Sequence, residues 1–176
     1  MNGMERLLAA INGTPADRIP IFCNLIDQGA REMGLKPREY FANGAHVAEA
    51  QLRMRRRWGH DNLWSLFYVG KEAELLGCRR MIYSDDGPPN VGEMLIRTLD
   101  DIDRLQVPAS VADHPAFAEE LRCLRLLREA EGGRTPICAY ITATMTLPAL
   151  LMGMEKWLPL LLNGPAAGRE QLQRAE

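Results

Sequence analysis

The sequence predicts an α/β protein with a parallel sheet and flanking helices, and three observations carry that expectation. Short apolar runs rich in β-formers, at 19–24, 62–67 and 136–141, each lie between segments of helical periodicity. The stretches between the runs are long enough for helix-bearing crossovers, which parallel pairing requires. Glycine, proline and cap residues fall where one periodicity gives way to the other.

Taken in order, Met4, Leu7, Leu8 and Ile11 share one face of a helix over 3–11, which Gly13 and Pro15 stop. Ile19-Pro20-Ile21-Phe22-Cys23 reads as a buried strand. A short helix over 27–33 follows, then one near 37–42 that begins at Pro37, where the missing N–H is no loss. Val47, Ala48, Leu52 and Met54 form the apolar face of a helix over 44–58, and Arg53, Arg55, Arg56 and Arg57 are a solvated helix end beside Gly59. After the strand at 62–67, a helix over 70–76 closes at Gly77.

Residues 78–83 are extended, Asp85-Asp86-Gly87-Pro88-Pro89 is a turn, and 91–97 is the returning arm of a hairpin. Thr98 caps a short helix that begins Leu99-Asp100-Asp101-Ile102, and Pro108 and Pro115 bracket a loop. Phe117, Leu121, Leu124 and Leu127 mark the core stripe of a helix over 115–131, ended by Gly132-Gly133. The third strand leads through a loop, 142–146, into an apolar helix from about Leu147, and helices at 154–162 and 165–175 complete the chain.

Composition narrows the function classes. A chain of 176 residues, 47% hydrophobic and 25% charged, holds one domain with a sizeable core. The net charge of -2 with dispersed basic residues gives no field for nucleic acid or an anionic membrane. No apolar run reaches the roughly 18 residues of a membrane span and no signal peptide opens the chain, so a cytoplasmic protein is expected. Cys23, Cys78, Cys123 and Cys138 lack ligand spacing and read as reduced, buried thiols. His46, His60 and His114 read as surface or capping residues. GxGxxG, GxxxxGK[ST] and G-x-S-x-G are all missing. A closed eightfold α/β barrel takes ~250 residues, so the chain is either a small open sheet or a piece of something larger.

Residues 1–21, M-x-x-x-E-R-L-L-A-A-I-N-G-x-P-A-D-R-I-P-I, resemble the opening of the uroporphyrinogen decarboxylase superfamily. Glu72-Ala73-Glu74-Leu75-Leu76-Gly77-Cys78 with Asp86-Gly87-Pro88-Pro89 resembles its corrinoid-dependent methyltransferase branch, which includes methylcobalamin:coenzyme M methyltransferases. PICAYITATMTL at 136–147 is similar to the family's strand and loop of the type P-x-x-G-F-x-x-x-P-x-T-L, and Gly153, Lys156 and Pro165 fit the helix pair after it. The resemblance spans the whole chain but only the N-terminal half of the family. It implies a single partial domain over 1–176, truncated relative to the family: the N-terminal half of a (β/α)8 TIM-type barrel. It also places Asp17-Arg18 at the rim where the leading helix meets strand one, as a structural, salt-bridged pair.

In the decarboxylases the resemblance implies arginines after strand one for substrate carboxylates and an aspartate after strand two for the pyrrole nitrogens. Here Arg31 is the one arginine left in that region, Tyr68 stands at the aspartate position, and Leu150 replaces a tyrosine. These departures point away from porphyrinogen decarboxylation. In the methyltransferase branch the resemblance implies a zinc ion that lowers the pKa of an acceptor thiol, held by an H-x-C pair and a later cysteine in the C-terminal half. The chain has neither, so it is expected to bind no metal or cofactor alone and to be inactive by itself, zinc and a methylcorrinoid protein being the family's partners.

Barrel enzymes place chemistry at the C-terminal ends of their strands. That singles out Asn24, Asp27 and Arg31 after strand one, Tyr68 and Glu72 after strand two, and Tyr140, Thr142 and Thr144 after strand three as substrate-binding candidates. Each also has a local reading: Asn24 and Asp27 as turn or cap residues, Glu72 as a first-turn acid, and the neighbouring Thr146 as an N-cap. Three functions follow. The chain is a fragment or split subunit of a corrinoid-dependent methyltransferase, a decarboxylase-type lyase, or a non-catalytic half-barrel that binds a complementary half or a second copy of itself.

Overall fold

The computed structural model describes residues 1–84 and 87–163. Helix α1, Gly3–Ile11, starts with a capping box in which the Glu5 amide donates to Asn2 Oδ1 at 2.9 Å and the Asn2 amide to Glu5 Oε2 at 2.8 Å. Helices α2 (Gln28–Met33), α3 (Pro37–Phe41) and α4 (Gly44–Trp58) follow, and α4 is capped by Asn43 and ends at the left-handed Gly59. Strand β1, Leu63–Trp64, precedes helix α5, Lys71–Leu75. Strands β2 (Met81–Ile82) and β3 (Asn90–Val91) form the expected antiparallel hairpin. A 3-10 turn at Leu99–Arg104, with Thr98 at its N-cap position and the Asp101 carboxylate accepting from the Thr98 amide at 2.9 Å, then leads toward helix α6, Pro115–Glu131. Strand β4 (Ile137–Cys138) and helices α7 (Thr146–Met152) and α8 (Met154–Asn163) follow. The expected helix over 165–175, and Asp85 and Asp86 of the expected turn, lie outside the described residues.

β1 and β4 run parallel, with Leu63 opposite Ile137 and Trp64 opposite Cys138. The expected runs at 62–67 and 136–141 therefore pair as predicted, over a shorter ladder. The run at 19–24 corrects the expectation. It forms no regular strand, and Ile19 is 83% and Ile21 52% exposed. One main-chain bond, from the Asp61 amide to the Ile21 carbonyl at 2.7 Å, and several side chains hold it instead: Asp61 Oδ2 accepts from the Ile21 amide at 2.8 Å, and Trp64 Nε1 donates to the Cys23 carbonyl at 2.8 Å. Gln51 donates to the Leu25 carbonyl at 2.6 Å and accepts from the Trp64 amide at 3.1 Å. Among the described residues nothing covers the inner face of this wall, so apolar residues patterned for burial meet water, Ile141 among them at 79% exposure.

Two cores stabilise the wall from outside. One joins α2, α3, α4 and α6 to β1 through Tyr40, Phe41, Val47, Leu63, Leu66 and Leu127. The other packs Ala73, Ile96, Ile102, Leu151 and Trp157 beneath the hairpin and α7–α8. Gly44 lets α4 and α6 approach closely, since a Cβ there would run into the Glu119 carbonyl, and its amide donates to Glu119 Oε2 at 2.7 Å. α6 also departs from the expected stripe. Leu121 is exposed, and Glu120 and Cys123 face the core with Leu127. The face is rotated because Glu120 has a buried cationic partner.

Candidate functional site

The chain leaves β1 through Ser65-Leu66-Phe67-Tyr68-Val69 and turns sharply at Gly70, whose φ of +97° favours glycine and whose missing Cβ leaves room for Val91 Cγ2. α5 then begins with two consecutive charged residues whose side chains leave in opposite directions. Lys71 Nζ pairs with Glu120 Oε2 of α6, donates to the Leu66 carbonyl at 2.9 Å and lies 4.9 Å from the centre of the Phe117 ring. The other Glu120 oxygen accepts from Ser65 Oγ at 3.1 Å. Lys71 is fully buried, and this set of partners is what makes a buried ammonium tolerable.

Glu72 points the other way. Its Oε1 accepts from the Thr142 amide at 2.9 Å and its Oε2 from Thr142 Oγ1 at 2.7 Å, both groups being buried. Tyr68 turns inward and donates to Glu74 Oε2 at 2.6 Å, with its ring edge-on to Phe41. Burial first, and then the Glu74 carboxylate, raise its pKa well above the ordinary phenol range. Tyr140 lies half in water with its ring 3.9 Å from that of Phe67. The structure thus gathers four of the expected residues, Tyr68, Glu72, Tyr140 and Thr142, at one rim.

The others stay apart. Asn24 and Arg31 are exposed, and Thr144 is exposed in the turn before α7. Asp27 occupies the N-cap position of α2 without a side-chain cap bond, so its expected capping role is corrected to a positional one. Thr146 is not the cap of α7 either, because the helix begins one residue earlier than a Thr146 cap requires and Met145 holds that place. Ser65, Lys71 and Glu120 escaped sequence reasoning. Lys71 and Glu120 lie 49 residues apart, and the one hint was an acid sitting off the apolar stripe of α6.

The opposite rim is an ion network centred on Asp61. Arg6 Nη1 donates to Asp61 Oδ1 at 2.9 Å, Arg18 Nη2 to the same oxygen at 2.9 Å, and Arg18 Nη1 pairs with Oδ2. Asp17 pairs with Arg6 through two bonds of 2.8 Å and with the N-terminal amine at 3.4 Å. Asp17 and Arg18 therefore hold this rim, but they correct the expected salt-bridged pair: Asp17 is bridged to Arg6 and the N-terminal amine, and Arg18 to Asp61. Burial would raise the Asp61 pKa, but hydrogen bonds from Arg18, the Ile21 amide and Arg6 outweigh it and hold the carboxyl below its usual range. His60 corrects the expectation of a surface histidine: it is 2% exposed and both ring nitrogens lack partners. Burial, then Arg55, lower its pKa.

Among the described residues no three His, Cys, Asp or Glu side chains converge as metal ligands. All four cysteines are free, Cys78 and Cys123 buried and Cys23 and Cys138 half-buried. These side chains do not fit a zinc ion. No helix among the described residues is long and apolar enough to cross a membrane.

Comparison with known proteins finds both a family and a solved structure that the chain resembles. The family model for uroporphyrinogen decarboxylase (URO-D) matches residues 2–175. A methyltransferase from Methanosarcina mazei superposes with a TM-score of 0.82 at 20% sequence identity, over 99% of this chain and 52% of that one. The chain thus spans about half the length of that protein and shares the fold of that part of it, an open α/β wall with parallel strands and flanking helices. No curated protein matches.

Proposed function

The chain belongs to the uroporphyrinogen decarboxylase family, and on that premise we propose that it supplies the substrate-facing N-terminal half of a corrinoid-dependent methyltransferase, which moves a methyl group from a methylcorrinoid to a thiol or similar acceptor. The observation that carries this reading is Tyr68. At the position where the decarboxylase resemblance implies an aspartate for the pyrrole nitrogens, the chain has a phenol whose hydroxyl is already given to Glu74. The fold likeness to a methyltransferase favours the same branch.

Because zinc does not fit the described side chains, the part of this chain is to bind and orient. Tyr140, Thr144, Asn24 and Arg31 offer exposed ring, hydroxyl, amide and charged groups for substrate or corrinoid, and the half-buried Asp27 adds a carboxyl group. Tyr68, Glu72 and Thr142 hold the rim on which Tyr140 stands.

The test joins this chain to a complementary half that carries an H-x-C pair, a later cysteine and zinc. Thiol methylation from methylcobalamin is then measured beside carbon dioxide release from uroporphyrinogen. Methyl transfer that weakens when Tyr140 or Arg31 is replaced is the expected result. Decarboxylation without methyl transfer would overturn the reading.

A further inference from the structure

We propose that Lys71 is a positioning residue for this rim, fixing the loop after β1 and, through its neighbour Glu72, the segment that follows β4. The loop from Leu66 to Lys71 is closed on itself by the bond from Lys71 Nζ to the Leu66 carbonyl. The same ammonium fastens that loop to α6 through Glu120, whose second oxygen takes Ser65 Oγ. Phe67 and Tyr68 lie inside this closed loop, so the ring on which Tyr140 rests and the phenol bound to Glu74 take their places from it. Glu72 is one peptide away, and both of its oxygens are spent on Thr142. A shift of Lys71 toward or away from α6 must therefore rotate the start of α5 and pull on Thr142.

A buried ion pair alone would suggest only a packing role, since such pairs are often replaceable by apolar residues without loss of stability. The geometry adds that Lys71 makes a loop-closing bond which no apolar side chain reproduces. Stability and rim position are thereby separable. The inference rests on reading this rim as the substrate-facing one, but its readouts need no methyl transfer, so it stands or falls independently of the assay above.

The test compares wild type, Lys71→Met, the double variant Lys71→Met with Glu120→Leu, and Glu120→Gln. Urea midpoints report stability. Hydrogen exchange at the Thr142 amide reports the rim, with the amides of Val47 and Ala48 in α4 as reference. The double variant is expected to recover the stability lost in Lys71→Met while its Thr142 amide still exchanges about 10-fold faster than in wild type. Glu120→Gln, which keeps one acceptor oxygen for Lys71 and can donate its amide N–H to Ser65 Oγ, is expected to fold and to raise Thr142 exchange by a smaller factor. Thr142 protection that returns together with stability would show a purely structural pair and overturn the proposal. So would a Glu120→Gln protein with Thr142 unchanged, or Thr142 and α4 amides accelerating equally in every variant.

Discussion

Asn62 and Cys23 are joined twice, the Cys23 amide donating to Asn62 Oδ1 at 2.8 Å and Asn62 Nδ2 to the Cys23 carbonyl at 3.2 Å. One side-chain amide thus does for strand one what a ladder of main-chain bonds does elsewhere in a sheet. Replacing Asn62 by Ala leaves the Cys23 amide unpaired in a part-buried place, while the Cys23 carbonyl keeps its bond from Trp64 Nε1, and a loss of roughly 1–3 kcal/mol is expected. Limited proteolysis should then cut first within 19–25. Resistance equal to wild type would show that the segment is held by something else.

The Asp61 network predicts an acid sensitivity. The carboxyl has a lowered folded pKa, so its stabilisation is present above the unfolded value of 3.8 and is lost as pH falls through the folded value. Asp61→Asn should lose roughly 2–3 kcal/mol at pH 7, below the range for a fully buried pair because Arg18 is partly in water. Its stability should also fall less steeply below about pH 4 than that of wild type. Some slope remains, since the exposed Asp17 titrates in the same region. Urea unfolding at several pH values checks both signs.

His60 acts at higher pH. Its folded pKa lies below the unfolded 6.5, so the folded state binds fewer protons, and stability drops as pH falls through that value. The slope cannot exceed about 1.4 kcal/mol per pH unit for one group. Replacing His60 by Leu should flatten the unfolding free energy between pH 7.5 and 5, and an unchanged slope would exclude the histidine as its source.

Thiol chemistry should separate the cysteines. Burial pushes the Cys123 thiol up to about 12, so at pH 8 it stays protonated and shielded. Titration of the native protein with an aromatic disulfide should modify the half-buried Cys23 and Cys138 first. Cys78 and Cys123 should react when urea is added. Early modification of Cys123, read by mass spectrometry, would contradict its placement.

The exposed apolar residues predict association. Ile19, Ile21 and Phe22 before β1, and Tyr140, Ile141 and Met145 after β4, are all exposed. The chain by itself should bind a hydrophobic dye and scatter light as more than a monomer. A monomer at micromolar concentration with no dye signal would refute this.

Much of the outer layer was legible. Helix α4 follows from Asn43, the spacing of Val47, Ala48 and Met54, and Gly59, all within its own residues. The hairpin follows from the turn chemistry between its arms. Strand one was misread because Ile19 and Ile21 carry the pattern of a strand buried on both faces, whereas one face is covered here. At the rim, Glu72 and Thr142 could each be named from position after a strand, but their bond spans 70 residues. Neither Lys71 nor Asp61 announced a role, since a charged residue at a helix start or before a strand is ordinarily solvated.

The contact between Gly44 and Glu119 joins residues 75 apart, which gives the chain a timetable as well as a shape. Helices α2, α3 and α4 are neighbours in sequence and can assemble as soon as they are made. The groove of α4 opened by Gly44 must wait for α6, and at ribosomal speeds of ~5–20 residues per second that wait lasts on the order of 4–15 s. β1 waits about as long, because Leu63 must pair with Ile137, which is made after α6. Through that interval Lys71 keeps its ammonium in water, and its dehydration falls among the last events of folding.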